Sequence, residues 1–276
     1  MASVAEALGA SDLPPREKRA LLAHALGVPR ERLLAHPEAA VPPLALERFG
    51  RMARARAAGA PLAYLVGVQE FYGLPMQVTP AVLIPRPDTE LLVEQALAVL
   101  PADGAARVLE LGTGSGCIAI ALALARPAWS VLATDRSVAA LEVARANGER
   151  LGARVQWVAG DWFAPLRGRF ELIVSNPPYI AANDPHLAQL GYEPHEALSD
   201  GGDGLGALRH IVAGAGAQLE RGGWLLLEHG YDQGAAVRAL LRQHGYGRIA
   251  TARDLAGRER VGAGRLEWPA TDPSVA

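Results

Sequence analysis

The 276-residue chain has one cysteine, Cys117, and one lysine, Lys18. A single thiol excludes an internal disulfide framework and any cysteine-based zinc site, and it fits a reducing compartment. No apolar run approaches the roughly 20 residues of a membrane helix. The first residues lack the basic-then-apolar order of a secretory signal. These absences predict a cytoplasmic chain with no membrane contact. A dense basic run is also missing, and the net charge is −2. Duplex nucleic acid is held by faces that neutralise several phosphates, so stable nucleic-acid binding is not expected. His186, His195, His210, His229 and His244 fall on separate elements without ligand spacing, which predicts surface or packing roles and no metal. Cys117 opens a helix, where its thiol reads as packing.

What is present is a globular balance of 50% hydrophobic and 20% charged residues, at a length suited to one large domain and one smaller one. Residues 1–67 repeat apolar positions at helical spacing: Leu21, Leu22, Ala25 and Leu26 between Pro14-Pro15 and Gly27, then Leu44, Leu46, Phe49, Met52 and Ala53 before Gly59. They predict a small helical bundle serving substrate recognition. Arg51, Arg54 and Arg56 read as a solvated helix face. Residues 68–84 predict a β-hairpin linker, with Gly73-Leu74-Pro75 as its break. A helix is expected from Asp88, its cap, to Leu100. The rest of 85–276 alternates strand and helix, with strands at 107–111, 130–134, 154–158, 170–175, 223–229, 247–251 and 260–267. Helices are expected at 116–126, 137–151, 204–220 and 233–244. Seven strands with intervening helices predict an open, doubly wound, mostly parallel α/β sheet.

Two stretches carry chemistry. The apolar run Leu172 to Ser175 leads into Asn176-Pro177-Pro178-Tyr179. Two prolines fix φ and remove two donors, so carbonyls in the turn are left to accept from a guest. Beside an aromatic ring, such a turn suits a planar –NH2 group. Upstream, Arg107 to Leu111 runs into Gly112-Thr113-Gly114-Ser115-Gly116 and then a helix. In such sheets ligands bind at the carboxyl ends of strands, near the point where strand order reverses. The spacing is G-x-G-x-G, and Glu110 precedes the first glycine by two positions. An acidic group there opposes a pyrophosphate but suits the cationic methionine part of S-adenosylmethionine. Asp135 ends the next strand, where it can accept ribose hydroxyls or cap the following helix. Asp161 and Trp162 follow the third, where they can meet adenine or simply close a turn.

With these motifs the chain resembles the amino methyltransferases of class I S-adenosylmethionine-dependent fold that carry N-P-P-Y, whose acceptors are an adenine amine or a glutamine amide. The flanks Gly59 to Gly67, Val82 to Glu90, Tyr192-Glu193-Pro194, Gly202 to Leu205, Trp224 to Gly230 and Arg253 to Gly257 resemble the protein glutamine N5-methyltransferases, most closely those acting on class-1 peptide chain release factors. The resemblance implies a methyltransferase domain over 85–276 with S-adenosyl-L-methionine as cofactor and S-adenosyl-L-homocysteine as product. It assigns Gly112 to Gly116, with Glu110, to the methionine part, Asp135 to the ribose, and Asp161 and Trp162 to adenine. Asn176 and the Pro177 carbonyl would accept the two amide N–H groups of a glutamine in a Gly-Gly-Gln motif. Tyr179, after Pro178, would pack on the amide plane. Arg86 and Glu90 would line the mouth, with a mutual salt bridge as the alternative. A ribosomal-protein glutamine or, less favoured, a DNA adenine is the competing acceptor, and a monomer is expected.

Overall fold

The computed structural model describes residues 1–267, which gather into two compact units, Met1–Val68 and the chain from Gln69 onward. The first is all helix: Val4–Gly9, Pro15–Leu26, Arg30–Ala35, Pro43–Ala57 and Leu62–Val66. Ser3 and Glu6 cap its first helix reciprocally. Pro15 and Pro43 open two others, where a missing N–H breaks no helical bond. Val4, Leu21, Leu22, Leu33 and Phe49 fill its core. Leu44 departs from expectation and stands in solvent at 66% exposure, because Ala45 and Phe49, four apart, carry the buried face of that helix. Arg56 departs too: it is only partly exposed and grips Glu17 with two hydrogen bonds of 2.7 and 2.9 Å. Arg51 stays on the surface beside Glu47.

Strands β1 (Val68–Phe71) and β2 (Leu74–Gln77) form a two-stranded ribbon. Its turn is Tyr72-Gly73, with φ of 52° and 73°, the double-positive geometry whose twist matches a tight hairpin. The break therefore comes earlier than Gly73-Leu74-Pro75 suggests, and Pro75 lies inside β2.

The main sheet contains β3 (Arg107–Leu111), β4 (Ser130–Asp135), β5 (Val155–Ala159), β6 (Phe170–Ser175), β7 (Leu219–Glu228), β8 (Tyr246–Arg253) and β9 (Glu259–Leu266). Their order is β5-β4-β3-β6-β7-β9-β8. Neighbours from β5 to β7 are parallel, and β9 runs antiparallel to both β7 and β8. This is the doubly wound, mostly parallel sheet expected. Both faces are covered, so adjacent residues of one strand join opposite cores. Val108, Leu172 and Val174 pack with Ile118, Ile120 and Leu122, while Leu109, Ile173, Leu225 and Leu227 pack with Leu208, Ile211 and Leu241. Two-sided burial explains why Val108-Leu109 and Leu172-Ile173-Val174 are apolar at adjacent positions.

β7 begins four residues before the expected start, because the strand runs through Gly222-Gly223, beside which its pairing with β6 shifts register. Asp88 is not a cap. A 3-10 turn, Pro87–Thr89, precedes the helix Glu90–Val99, and the Asp88 carboxylate turns to Arg260 at 3.1 Å. Fully buried Asn147 links the ribbon to the loop after β3: its Oδ1 accepts from Gln77 N–H at 2.7 Å, and its Nδ2 donates to the Gln77 and Ser115 carbonyls at 2.9 and 3.0 Å. Among the described residues no helix is long and apolar enough to cross a membrane.

Candidate active site

Strand order reverses at β3, so a crevice opens at the carboxyl ends of β3 and its neighbour β6. Leu111 pairs with Ser175, and the Ser175 hydroxyl donates to the Leu111 carbonyl at 2.8 Å. The next residues on the two strands, Gly112 and Asn176, thus leave the sheet side by side. Leu111 also pairs with Thr134, and Asp135 with Ala159, which delivers Asp135 and Asp161 to the same edge.

A cavity of about 370 Å3 lies there, walled by Gly112, Gly114, Asp135, Asp161, Trp162 and Asn176. Its volume falls in the range of small-molecule sites. Gly112, Gly114 and Gly116 have φ of 70°, 55° and 82°, which an L side chain adopts only under strain. Gly116 has a second reason to be glycine: a Cβ would stand 2.9 Å from the Trp157 ring and 3.1 Å from the Ala144 Cβ. The loop packs against β5 and the helix Val138–Leu151 only because that atom is missing. Asp135 Oδ2 accepts from Gly114 N–H and Oδ1 from Ser137 N–H, each at 2.9 Å. Burial raises its pKa above the usual carboxylate value despite those bonds. Trp162 also has a positive φ, 46°, a conformation costing roughly 1–3 kcal/mol for a bulky residue. Its ring stands 6.0 Å from that of His210, which lines the same cavity. His210 was expected on the surface or in packing, and no local motif marks it; only the register of helix Gly206–Gln218 brings it in.

Four members of the expected cofactor set are not in the cavity wall, Gly116 at the end of its loop among them. Thr113 and Ser115 are buried in the loop. Glu110 is buried behind it, where it accepts from Thr113 Oγ1 at 2.6 Å and from Ala119 N–H at 3.0 Å. It therefore caps the helix Cys117–Ala125 from a distance and fixes the loop's shape. Desolvation pushes its pKa up to about 8, against the pull of those two donors.

A smaller recess of about 70 Å3 adjoins, lined by Leu83, Arg86, Asn176, Pro177, Tyr179 and Leu198 among others. Asn176 and Leu83 line both spaces, so the two meet at Asn176. The Asn176 Nδ2 donates to Thr89 Oγ1 at 3.2 Å. Among the described residues no donor reaches Asn176 Oδ1 or the Pro177 carbonyl. The Tyr179 carbonyl, by contrast, is not free, since Gln233 Nε2 donates to it at 3.0 Å and to the Gly204 carbonyl at 3.1 Å. Gly204 crosses so close that a Cβ would lie 2.4 Å from the Tyr179 oxygen. The Tyr179 hydroxyl donates to Glu228 Oε1 at 3.1 Å; burial and that carboxyl both push its pKa upward.

Arg86 lines the recess, but Glu90 does not, and the two are not paired. Glu90 accepts from Tyr72 N–H at 2.9 Å, because its place in the first helical turn faces the ribbon. The partner of Arg86 is Glu193, whose other oxygen accepts from Ile84 N–H at 3.0 Å. Glu193 belongs to the Tyr192-Glu193-Pro194 signature, but nothing local in it announces that contact.

Residues 87–203 match the family model of the methyltransferase small domain, and residues 1–67 match that of the PrmC N-terminal domain. A Bordetella pertussis protein named release factor glutamine methyltransferase is 53% identical, the match covering 92% of this chain and 96% of that one. A Burkholderia pseudomallei protein of the same name is 49% identical over 96% of each. Among solved structures, a methyltransferase from Pyrococcus furiosus covers 79% of this chain and 99% of its own with a TM-score of 0.56 at 21% identity, a likeness of fold.

Proposed function

The chain belongs to the family of release factor glutamine methyltransferases, and from that premise we propose how its crevice divides the work. The enzyme methylates a glutamine side chain of a release factor, with S-adenosylmethionine as methyl donor. We place the target in the Gly-Gly-Gln motif of class-1 factors and assign their recognition to the helical unit.

The larger cavity suits an adenosyl group. It offers a carboxylate at Asp135, an aromatic face at Trp162 and open backbone at Gly114, where a Cβ would meet nothing within 4 Å. Bound there, S-adenosylmethionine supplies an electrophilic methyl group on a sulfonium. Asp135 holds the ribose hydroxyls, Asp161 and Trp162 the base, and the backbone from Gly112 to Gly116 the methionine end. Glu110 acts one layer behind, by holding the loop.

A glutamine amide nitrogen is a poor nucleophile, because its lone pair is delocalised into the carbonyl. The carboxyl bonded to the turn, Glu228, is covered by Tyr179 and lines neither space. Positioning carries the reaction, and well-oriented reactants gain roughly 7–11 kcal/mol. Asn176 Oδ1 and the Pro177 carbonyl accept the two amide N–H groups and hold the nitrogen at the junction of the cavities. Those bonds strengthen as positive charge develops on nitrogen, which favours the transition state over the ground state. Tyr179 packs on the amide plane, and Arg86 borders the entrance. The observation that carries this reading is the pair of unengaged acceptors where the two spaces meet.

The test is labelled S-adenosylmethionine with, separately, a release factor, a ribosomal protein and duplex DNA. Label is expected on the release factor alone, lost when its Gly-Gly-Gln glutamine becomes alanine. Asn176→Ala is expected to lose most turnover and to keep cofactor affinity within several-fold. Label on DNA adenine would falsify the assignment; equal loss of turnover and affinity would remove Asn176 from its role.

A further inference from the structure

Glu193 is a buried carboxylate that the methyl-transfer geometry leaves without a role. It lies between the turn Pro185–Leu190 and the short helix His195–Leu198, with its side chain 3% exposed. One of its oxygens takes the Arg86 guanidinium, and the other accepts from Ile84 N–H at 3.0 Å. Burying a carboxylate is costly unless it is paired and hydrogen-bonded, and both partners here come from one stretch of chain. That stretch and the Glu193 loop are two walls of the smaller recess. Leu83 and Arg86 line it from the first, Leu190, Ala197 and Leu198 from the second. Ile180 N–H, one residue past the Asn176-Pro177-Pro178-Tyr179 turn, donates to the Leu198 carbonyl at 3.0 Å, so the second wall is fastened to the turn itself.

Arg86 is the only charged residue in that lining among those described. A guanidinium carries five N–H donors in a planar fork. Its Nη2 goes to Glu193, and no acceptor among the described residues is bonded to Nε or Nη1. Those two nitrogens reach the surface, since neither is among the buried atoms without a partner. The side chain as a whole is 35% exposed. Holding one arm of the fork fixes the plane of the rest, and a carboxylate anchored by Ile84 N–H does the holding.

We propose that Arg86 donates to a main-chain carbonyl of the substrate beside the target glutamine, and that Glu193 is the positioning residue that aims it. The inference rests on the target lying in a Gly-Gly-Gln motif. A recess of about 70 Å3 is far smaller than a small-molecule site and takes a side chain at most. The substrate main chain therefore stays at the mouth, which Arg86 borders. Two glycines there offer only main-chain groups, and no Cβ shields their carbonyls. Glu193 has already compensated the guanidinium charge, so the mouth presents directed donors rather than a positive field. A neutral carbonyl suits such donors better than a second carboxylate. Without Glu193 the arginine would sweep many rotamers and lose that freedom on binding. The bond lies away from the reacting nitrogen and is made equally in ground and transition state, so it governs KM rather than kcat.

The experiment uses the full chain, a purified release factor and S-adenosylmethionine, measuring kcat, KM and, by calorimetry, cofactor Kd. Arg86→Met, which keeps the apolar stem and removes the donors, is expected to raise the release-factor KM about tenfold or more. Both kcat and cofactor Kd should stay within about threefold. Glu193→Gln, whose amide oxygen cannot serve Arg86 and Ile84 at once, should raise KM about threefold or more. Joining it to Arg86→Met should add little, because Glu193 acts through Arg86. The double variant removes a neutral pair, so its rise in KM should be the same at about 50 and about 300 mM salt. If a single variant does not fold, the double variant, which leaves no buried charge unpaired, decides. Wild-type KM in Arg86→Met or in the double variant, or a loss confined to kcat or cofactor Kd, overturns the contact. A rise that shrinks with salt gives Arg86 an acidic side chain of the release factor instead and overturns it too, and fully additive losses remove Glu193 from its role. In each of these outcomes, label lost when the Gly-Gly-Gln glutamine becomes alanine leaves the underlying reading standing. Label that survives that change removes the reading and the contact together.

Discussion

The cofactor half and the acceptor half of this crevice meet at one asparagine, yet they are built from opposite materials. The cofactor half is backbone: three glycines of positive φ, carbonyls and N–H groups, and an aspartate whose oxygens are both tied to main-chain N–H groups. The residues assigned to it come from short segments at the ends of β3, β4 and β5, and His210 joins the wall from the helix Gly206–Gln218. The acceptor half is a set of side chains holding other side chains. Asn176 leans on Thr89, Tyr179 on Glu228, the turn on Gln233, and Arg86 on Glu193, over sequence separations of 87, 49, 54 and 107 residues. A backbone cradle fails by changing shape. A side-chain net fails by losing polarity or angle while the fold survives.

The sharpest break of that contrast is on the backbone side. Gly116→Ala forces a Cβ against Trp157 and Ala144 at a positive φ, and about 2–4 kcal/mol of stability should go, read as a lowered midpoint in denaturant unfolding. A midpoint unchanged from wild type would mean that the loop is not sterically fixed. Next, Asp135→Ala removes two charge-assisted acceptors and should weaken cofactor binding about 100-fold by calorimetry, with kcat at saturation within a few-fold. Across the junction the pattern should invert: Tyr179→Phe frees the ring from Glu228 and should lower kcat roughly tenfold at nearly constant cofactor Kd. Should Tyr179→Phe weaken cofactor binding as much as it slows turnover, the two halves are not separable.

The smallest effect concerns pH. Burial raises Glu110 from 4.5 to about 8 and Glu228 to about 7. The folded chain therefore holds these protons more tightly than the unfolded chain does. Stability should fall as pH rises from about 5 to 8, because ionisation costs the native state more than the unfolded one. Glu110→Gln should flatten part of that slope in urea titrations at several pH values, and an unchanged slope would assign the dependence elsewhere. Activity should move the other way at the acceptor side. Glu228 accepts the Tyr179 hydroxyl most strongly when ionised, so kcat should climb through pH 7 in the wild type and be flat there in Glu228→Gln. The groups facing Glu228 are the Tyr179 and Thr89 hydroxyls, the Arg260 guanidinium and the Asp88 carboxylate, with the Cys117 thiol farther back. Tyr179 and Cys117 titrate far above that window, which leaves the carboxyl itself to set the climb.

The same contrast explains what the sequence discloses. Strands β3 and β6 are legible because two-sided burial leaves adjacent apolar residues in each just ahead of a motif, and the helix after β3 announces itself through the glycines before it. That Asn176, Asp135 and Trp162 share one cavity wall is legible because each lies at or just past a strand end. Glu110 is misread, because an acidic residue next to a glycine loop looks the same whether it faces the ligand or braces the loop from behind. Glu90 is misplaced, and Glu193, Thr89 and Glu228 are silent, for a different reason. Their roles depend on partners far away in the chain, and only the completed sheet brings those partners within hydrogen-bond distance.

Asn147 carries a consequence for observing this protein at work. Its carboxamide holds the Gln77 N–H with one end and the Ser115 carbonyl with the other. Any loosening of the glycine loop must release the Gln77 amide in the ribbon as well. The exchange of that single amide with deuterated solvent is therefore a clock for the loop's opening. Slowed exchange at Gln77 on cofactor addition would report the closed loop from a strand that does not itself line the cavity.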